Sequence, residues 1–218
     1  MTHTLTRRNV MALSAGFAAL AATNAAAQTA ETPTAETPTA EVMNFGIGDP
    51  AAKVKIVEYL SFTCPHCAAF HGEVYPKLKA DYIDTGKVRL DYHEVYFDQL
   101  GLLGGMLARC GGELRYMGIT DMLLDKQQDW AGAPDMNAAV EALKKIGRTA
   151  GMDDATLDAC LRDQTQAEAL VAHYQKNIET DYPGDTFGGT PSFIVNGVQY
   201  SNMGYAELKV IIDAELAK

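Results

Sequence analysis

The chain has 218 residues, with 18 Lys and Arg against 28 Asp and Glu, and a formal net charge of −10. That length suits one domain with a real core, or one domain with an insertion. An acidic chain without a Lys/Arg cluster argues against nucleic acid or an anionic membrane as a partner.

Residues 1–27 read as a cleavable export signal. Arg7 and Arg8 give a positive start, residues 10–22 form an apolar run too short to anchor, and Ala25, Ala26 and Ala27 form a small-residue cleavage site. Residues 6–11 (TRRNVM) also resemble a twin-arginine signal, so the Sec and twin-arginine routes both stay open. Residues 28–41 hold the unit TAETP twice and no large apolar side chain, and are expected to be a disordered spacer. The folded part is expected over 42–218, soluble and without stable membrane insertion.

Residues 54–60 (VKIVEYL) are a β-branched run of strand length that leads straight into Cys64-Pro65-His66-Cys67. Pro65 suits the first turn of a helix, where no N–H is needed. That helix is expected to reach about Ile83, bent at Pro76. Residues 87–96 alternate and read as a second strand.

Residues 98–180 change to helical periodicity, with Met106, Leu107, Cys110 and Leu114 as one apolar group and Leu157, Cys160 and Leu161 as another. Trp130 reads as a loop or helix end packed on this block, and Met203 as a rim of a client surface. Strand character returns at 192–195, Asn196-Gly197 marks a two-residue hairpin, and 204–217 closes the chain as an amphipathic helix. The fold class is α/β, split by a helical insertion. The expected organisation is 42–97 with 181–218 as one domain and 98–180 as an inserted helical domain.

Four cysteines in an exported chain are read as redox groups before metal ligands, because disulfides persist in oxidising compartments. They split into a tight pair, Cys64 and Cys67, and a distant pair, Cys110 and Cys160. A Cys-x-x-Cys at a strand-to-helix junction brings two sulfurs within bonding reach over one turn. The first sulfur also faces the free N–H groups of a helix N-terminus, which favour an anion. An ordinary thiol near pKa 8.5 is only about 3% ionised at neutral pH, so lowering that pKa stabilises the reduced form and makes the disulfide more oxidising. Cys64 is expected to be the exposed sulfur that forms a mixed disulfide, and Cys67 its shielded partner. His66 is expected to add a positive charge or an imidazole hydrogen bond beside Cys64.

Two further features converge on this site. Glu58, in the strand leading to it, is a candidate for proton transfer around Cys67, with an outward-facing carboxylate as the alternative. Thr190-Pro191 precedes the later strand. A cis bond there would present the Thr190 backbone to an extended peptide, and a plain loop proline is the alternative.

With VEYLSFTCPHC around Cys64, GGTPSFIVNG around Pro191 and a helical block between them, the chain resembles the thioredoxin-fold DsbA family over nearly all of residues 41–218. The resemblance implies a thioredoxin fold with an inserted helical domain and a protein disulfide oxidoreductase that needs no cofactor. It implies a catalytic set of Cys64, Pro65, His66, Cys67 and Glu58, with Cys64 and Cys67 as the redox-active disulfide and Thr190 and Pro191 beside the substrate. The implied setting is the periplasm. Reduced, unfolded, newly exported polypeptides would be the substrates, a quinone-linked DsbB-type membrane partner the reoxidant, and the working form a monomer.

Cys110 and Cys160 lie outside the shared motif, although some α-proteobacterial-type members carry a second pair. Each sits on an apolar helix face, and a structural disulfide is expected, worth about 4 kcal/mol in the loop-entropy model. Two buried free thiols are the alternative.

Three rival functions remain, one of them a pure binding module or holdase, which would leave Cys64-Pro65-His66-Cys67 unexplained. A disulfide isomerase or reductase would use the same site, but such isomerases carry a dimerisation domain where this chain shows a spacer. A Cys/His metal-binding chaperone would draw on His66 and His71, although His71 falls too far along the helix to face a Cys-x-x-Cys metal, and no metal site is expected.

Overall fold

The computed structural model describes residues 42–218; the expected signal (1–27) and spacer (28–41) lie outside the described residues. Gly46–Ile47 forms a short strand, β1, for which the sequence carries no signal. It pairs antiparallel with a later strand. The β-branched run Val54–Leu60 forms β2, and Pro65–Glu73 follows it as helix α1.

The expected single bent helix is instead broken. α1 stops at Val74, and a second short helix, α2 (Tyr75–Leu78), starts with Pro76 in its first turn. A proline is tolerated there because its missing N–H would find no partner, whereas inside a continuous helix its ring would strike the preceding turn. A π-helical turn, Lys79–Ile83, leads on, closed by Asp84 N–H to Lys79 C=O at 2.8 Å. Strand β3 then spans Val88–Glu94.

Six helices follow: α3 (Gln99–Cys110), α4 (Glu113–Asp125), α5 (Gln127–Ala131), α6 (Met136–Thr149), α7 (Asp154–Leu161) and α8 (Gln164–Asp181). Asp98, Asp135, Asp153 and Asp163 cap α3, α6, α7 and α8 by accepting a backbone N–H in the first turn. Leu114 does not continue the apolar face of α3. Gly111 and Gly112, the latter at φ +69°, end that helix, and Leu114 starts the next one 99% exposed. Trp130 is fully buried in α5, its indole N–H donating to the Leu123 carbonyl at 2.9 Å.

The chain returns to the sheet as β4 (Ser192–Val195) and β5 (Val198–Ser201), joined by Asn196-Gly197 with φ +46° and +87°, the positive pair a two-residue hairpin needs. Helix α9 (Tyr205–Ala217) ends it. Met203 is buried and rims no surface.

The sheet order is β1-β3-β2-β4-β5, with β2 parallel to β3 and antiparallel to β4. This is the thioredoxin fold with a helical block inserted between β3 and β4. Strand β2 is central, so its side chains alternate between two covered faces. Ile56, Leu60, Leu90 and Phe193 join the main core with α1, α3, α4 and α9, while Tyr59 packs on the opposite face with Val57, Tyr182, Tyr174 and Ile178. No helix among the described residues is long and apolar enough to cross a membrane.

Candidate active site

The site grows from the end of β2. Ser61 and Phe62 are buried, and Cys64, in extended conformation, is the N-cap of α1. Its carbonyl accepts the first helical bonds, from Cys67 N–H at 3.1 Å and Ala68 N–H at 3.2 Å. The approach loop is tied to the helical block: the Thr63 hydroxyl donates to Asp98 Oδ2 at 2.7 Å, and the same carboxylate caps α3 through Gly101 N–H at 2.7 Å.

One helical turn separates the two sulfurs in environment. Both are free thiols, Cys64 part-exposed and Cys67 buried. The Cys64 thiol is held down to about 5, first by the hydrogen bond from Cys67, then by Thr190 and the backbone N–H groups of Cys67 and His66, against opposing desolvation. Cys67 is pushed far up, because it is the donor in that bond, is desolvated and lies near Glu58; the Ser61 N–H, 3.4 Å from its sulfur, acts the other way. At neutral pH one sulfur is therefore a thiolate and its neighbour a thiol.

The other expected residues fall as follows. Pro65 opens α1 and is exposed. The His66 side chain is exposed, and the contribution of this residue to the sulfur comes through its backbone N–H. Glu58 is 2% exposed, on the core face of β2, and burial pushes its carboxyl up to about 8. Its strand neighbours are Tyr92 on β3 and Phe193 on β4. The Thr190-Pro191 bond is cis, and the Thr190 carbonyl lies 3.3 Å from the Cys64 sulfur. A groove of about 380 Å³ beside it is lined by Tyr182, Thr186, Gly188, Pro191 and Tyr200 among others.

Cys110, ending α3, and Cys160, in α7, are joined by a disulfide with Cα atoms 6.0 Å apart. It lies in the helical block, in a different part of the chain from the Cys64 pair. His71 turns its Nε2 to Asp121 at 3.0 Å and stacks on Tyr75. Among the described residues no group of three or more His, Cys, Asp or Glu side chains is placed to hold a metal.

Sequence reading missed two parts of this neighbourhood. Gln127, at the start of α5, reaches the backbone of the active-site loop with its amide. Glu94, at the end of β3, is buried with Arg109 at 2.8 Å and with the hydroxyls of Tyr96 and Tyr116, each at 2.7 Å. Gln127 depends on partners 65 and 63 residues away, Glu94 on Arg109 and Tyr116 from the following helices, and neither has a local motif.

A family model described as Thioredoxin matches residues 40–214. The chain is 37% identical to a Rickettsia bellii protein named "Putative protein-disulfide oxidoreductase", over 77% of this chain and 62% of that one; it thus spans less than two thirds of that relative's length. Among solved structures, alpha-DsbA1 of Wolbachia pipientis superposes with a TM-score of 0.72 at 23% identity, covering 82% of this chain and 94% of the other. A protein-disulfide isomerase from Novosphingobium aromaticivorans gives 0.65 at 25% identity, covering 80% and 98%.

Proposed function

From a chain that belongs to the thioredoxin family, in the DsbA-like arrangement with a helical insertion, we propose a thiol–disulfide oxidoreductase that oxidises reduced, unfolded polypeptides after export. The observation that carries the reading is the split between the two sulfurs: Cys64 part-exposed and held down, Cys67 buried and held up.

In the oxidised protein a client thiolate attacks the Cys64 sulfur. A client–Cys64 bond forms, the Cys64–Cys67 bond breaks, and Cys67 leaves with the electron pair and takes up a proton. Glu58, buried, carrying a proton at neutral pH and near enough to act on Cys67 through its charge, would supply it. A second client thiolate then attacks the client sulfur and expels Cys64, which leaves readily because its thiolate is stabilised. The client gains a disulfide and the protein is left reduced. A quinone-linked membrane partner of the DsbB type would take the two electrons onward. Thr190 and the groove beside Pro191 would align an extended client segment.

In this reading residues 42–97 and 181–218 carry the chemistry, 98–180 form the inserted domain, and the protein works as a periplasmic monomer released from its signal. The Novosphingobium relative's name favours one alternative, isomerisation at the same site.

The test is the Cys64–Cys67 reduction potential, measured by equilibration with glutathione buffers, together with trapping of a client mixed disulfide in Cys67→Ala. A strongly oxidising couple and a trapped Cys64 adduct are expected. A strongly reducing couple would transfer the protein to the reductases.

A further inference from the structure

Gln127 is the first residue of α5, inside the helical block, and is 2% exposed. Its amide nitrogen lies 2.8 Å from the Phe62 carbonyl oxygen and 2.9 Å from that of Cys64. The Cys64 carbonyl is already the first acceptor of α1, so the amide adds a third donor there. The Phe62 carbonyl lies two residues earlier. One side chain thus grips both ends of the short segment that aims the sulfur. The amide nitrogen carries two hydrogens, one for each carbonyl, so a single neutral side chain makes both bonds.

We propose that Gln127 is a positioning residue for Cys64: its amide, reaching out of the helical block, holds the first turn of α1 so that the His66 and Cys67 N–H groups face the Cys64 sulfur. The inference rests on the reading of Cys64 as the attacked sulfur. Those two N–H groups are among the contacts that hold the thiol down. Gln127 is neutral, so a change in Cys64 on its replacement cannot come from a lost charge. The inserted block is thereby coupled to the reactivity of a sulfur that it does not carry.

The experiment compares the wild-type reduced protein with Gln127→Met, which keeps length and burial but has no donor. The readouts are the pH titration of the Cys64 thiolate and the equilibrium constant with glutathione. The expected result is an upward shift of about half a unit or more in the Cys64 midpoint, with an equilibrium about three-fold less oxidising. A Gln127→Met protein that melts lower but keeps the wild-type midpoint and equilibrium would reduce Gln127 to a structural prop and overturn the proposal. If Gln127→Met does not fold, Gln127→Asn carries the test. Its shorter amide cannot span both carbonyls, so a midpoint raised in the same direction supports the proposal and an unchanged one overturns it. A wild-type midpoint that is not depressed would defeat the functional reading itself, an outcome separate from a depressed midpoint that ignores Gln127.

Discussion

The sulfur of Cys64 lies 3.3 Å from the carbonyl oxygen of Thr190, a residue 126 positions later in the chain. As a thiol, Cys64 can donate to that carbonyl. As a thiolate it cannot, and it needs donors instead. The Thr190 side chain is among the causes that lower the thiol, and its hydroxyl, buried and with no other hydrogen-bond partner among the described residues, is the donor available for that role. Thr190→Val keeps the shape and removes the donor. The Cys64 midpoint should rise from about 5, and alkylation near that pH should slow, as read by thiolate absorbance and iodoacetamide kinetics. An unmoved midpoint would dismiss the hydroxyl as a ligand of the thiolate.

Glu58 gives a pH signature of stability. Its carboxyl titrates near 4.5 when exposed and near 8 in the folded protein, so between those values the native state holds one proton that the unfolded chain has lost. Stability therefore falls as pH rises through that window, by on the order of 5 kcal/mol, and levels off above it. Glu58→Gln should match the wild type near the lower end of the window and exceed it by several kcal/mol above the upper end. Urea unfolding of the oxidised form is the right measurement, because there Cys64 does not titrate. A difference that stays constant with pH would rule out a carboxyl kept neutral by burial.

The reduced form carries an opposite dependence from Cys64. Its folded thiol titrates near 5 against about 9 unfolded, so its contribution is complete above the higher value and disappears as pH falls through the lower. The stability of the reduced protein relative to the oxidised one should therefore shrink as pH drops toward 5. Parallel denaturation of the two forms across that range checks it; a gap that widens toward acid would contradict a depressed Cys64.

The Cys110–Cys160 bridge closes a loop with a sequence separation of 50. Replacing both residues by alanine should lower stability by about 2–4 kcal/mol, the upper value being the loop-entropy figure. The melting temperature would drop by roughly 10 °C for a domain of this size. Calorimetry of the oxidised double variant tests this, and an unchanged melting point would mean the bridge constrains little in the unfolded chain.

The Glu94–Arg109 pair is buried on both sides, and Arg109 also stacks over Phe45 and Tyr116. Arg109→Met leaves a carboxylate without its counter-charge and should cost about 3–5 kcal/mol. Adding Glu94→Gln to it should recover part of that loss in a double-mutant cycle. Full additivity would show the pair to be uncoupled.

How much of this was legible in the sequence depended on how local its cause was. Val54–Leu60 announced itself because a central strand, covered on both faces, is written in β-branched and aromatic residues. Asn196-Gly197 did so because both positions need positive φ. Pro76 was visible as a disturbance, but whether it bends one helix or starts another depends on Val74, which has no breaker character. Leu114 looked like core from its spacing with Cys110, and only the left-handed Gly112 turns it to solvent. Gln127 stood in a polar run, DKQQD, that reads as a surface. What buries it is the carbonyl of Cys64, 63 residues away, and no local pattern encodes that.

The topology also imposes an order in time. Strand β2 and the Cys64–Cys67 pair are synthesised early, while β4, which pairs with β2, and Thr190, whose carbonyl lies beside the Cys64 sulfur, come about 126 residues later. At about 5–20 residues per second that interval lasts roughly 6–25 s. Throughout it the growing chain carries a Cys-x-x-Cys pair without its second wall, and the later cysteines of the helical block emerge into that same window. The nascent molecule thus holds its reactive pair before it holds the pocket that governs it.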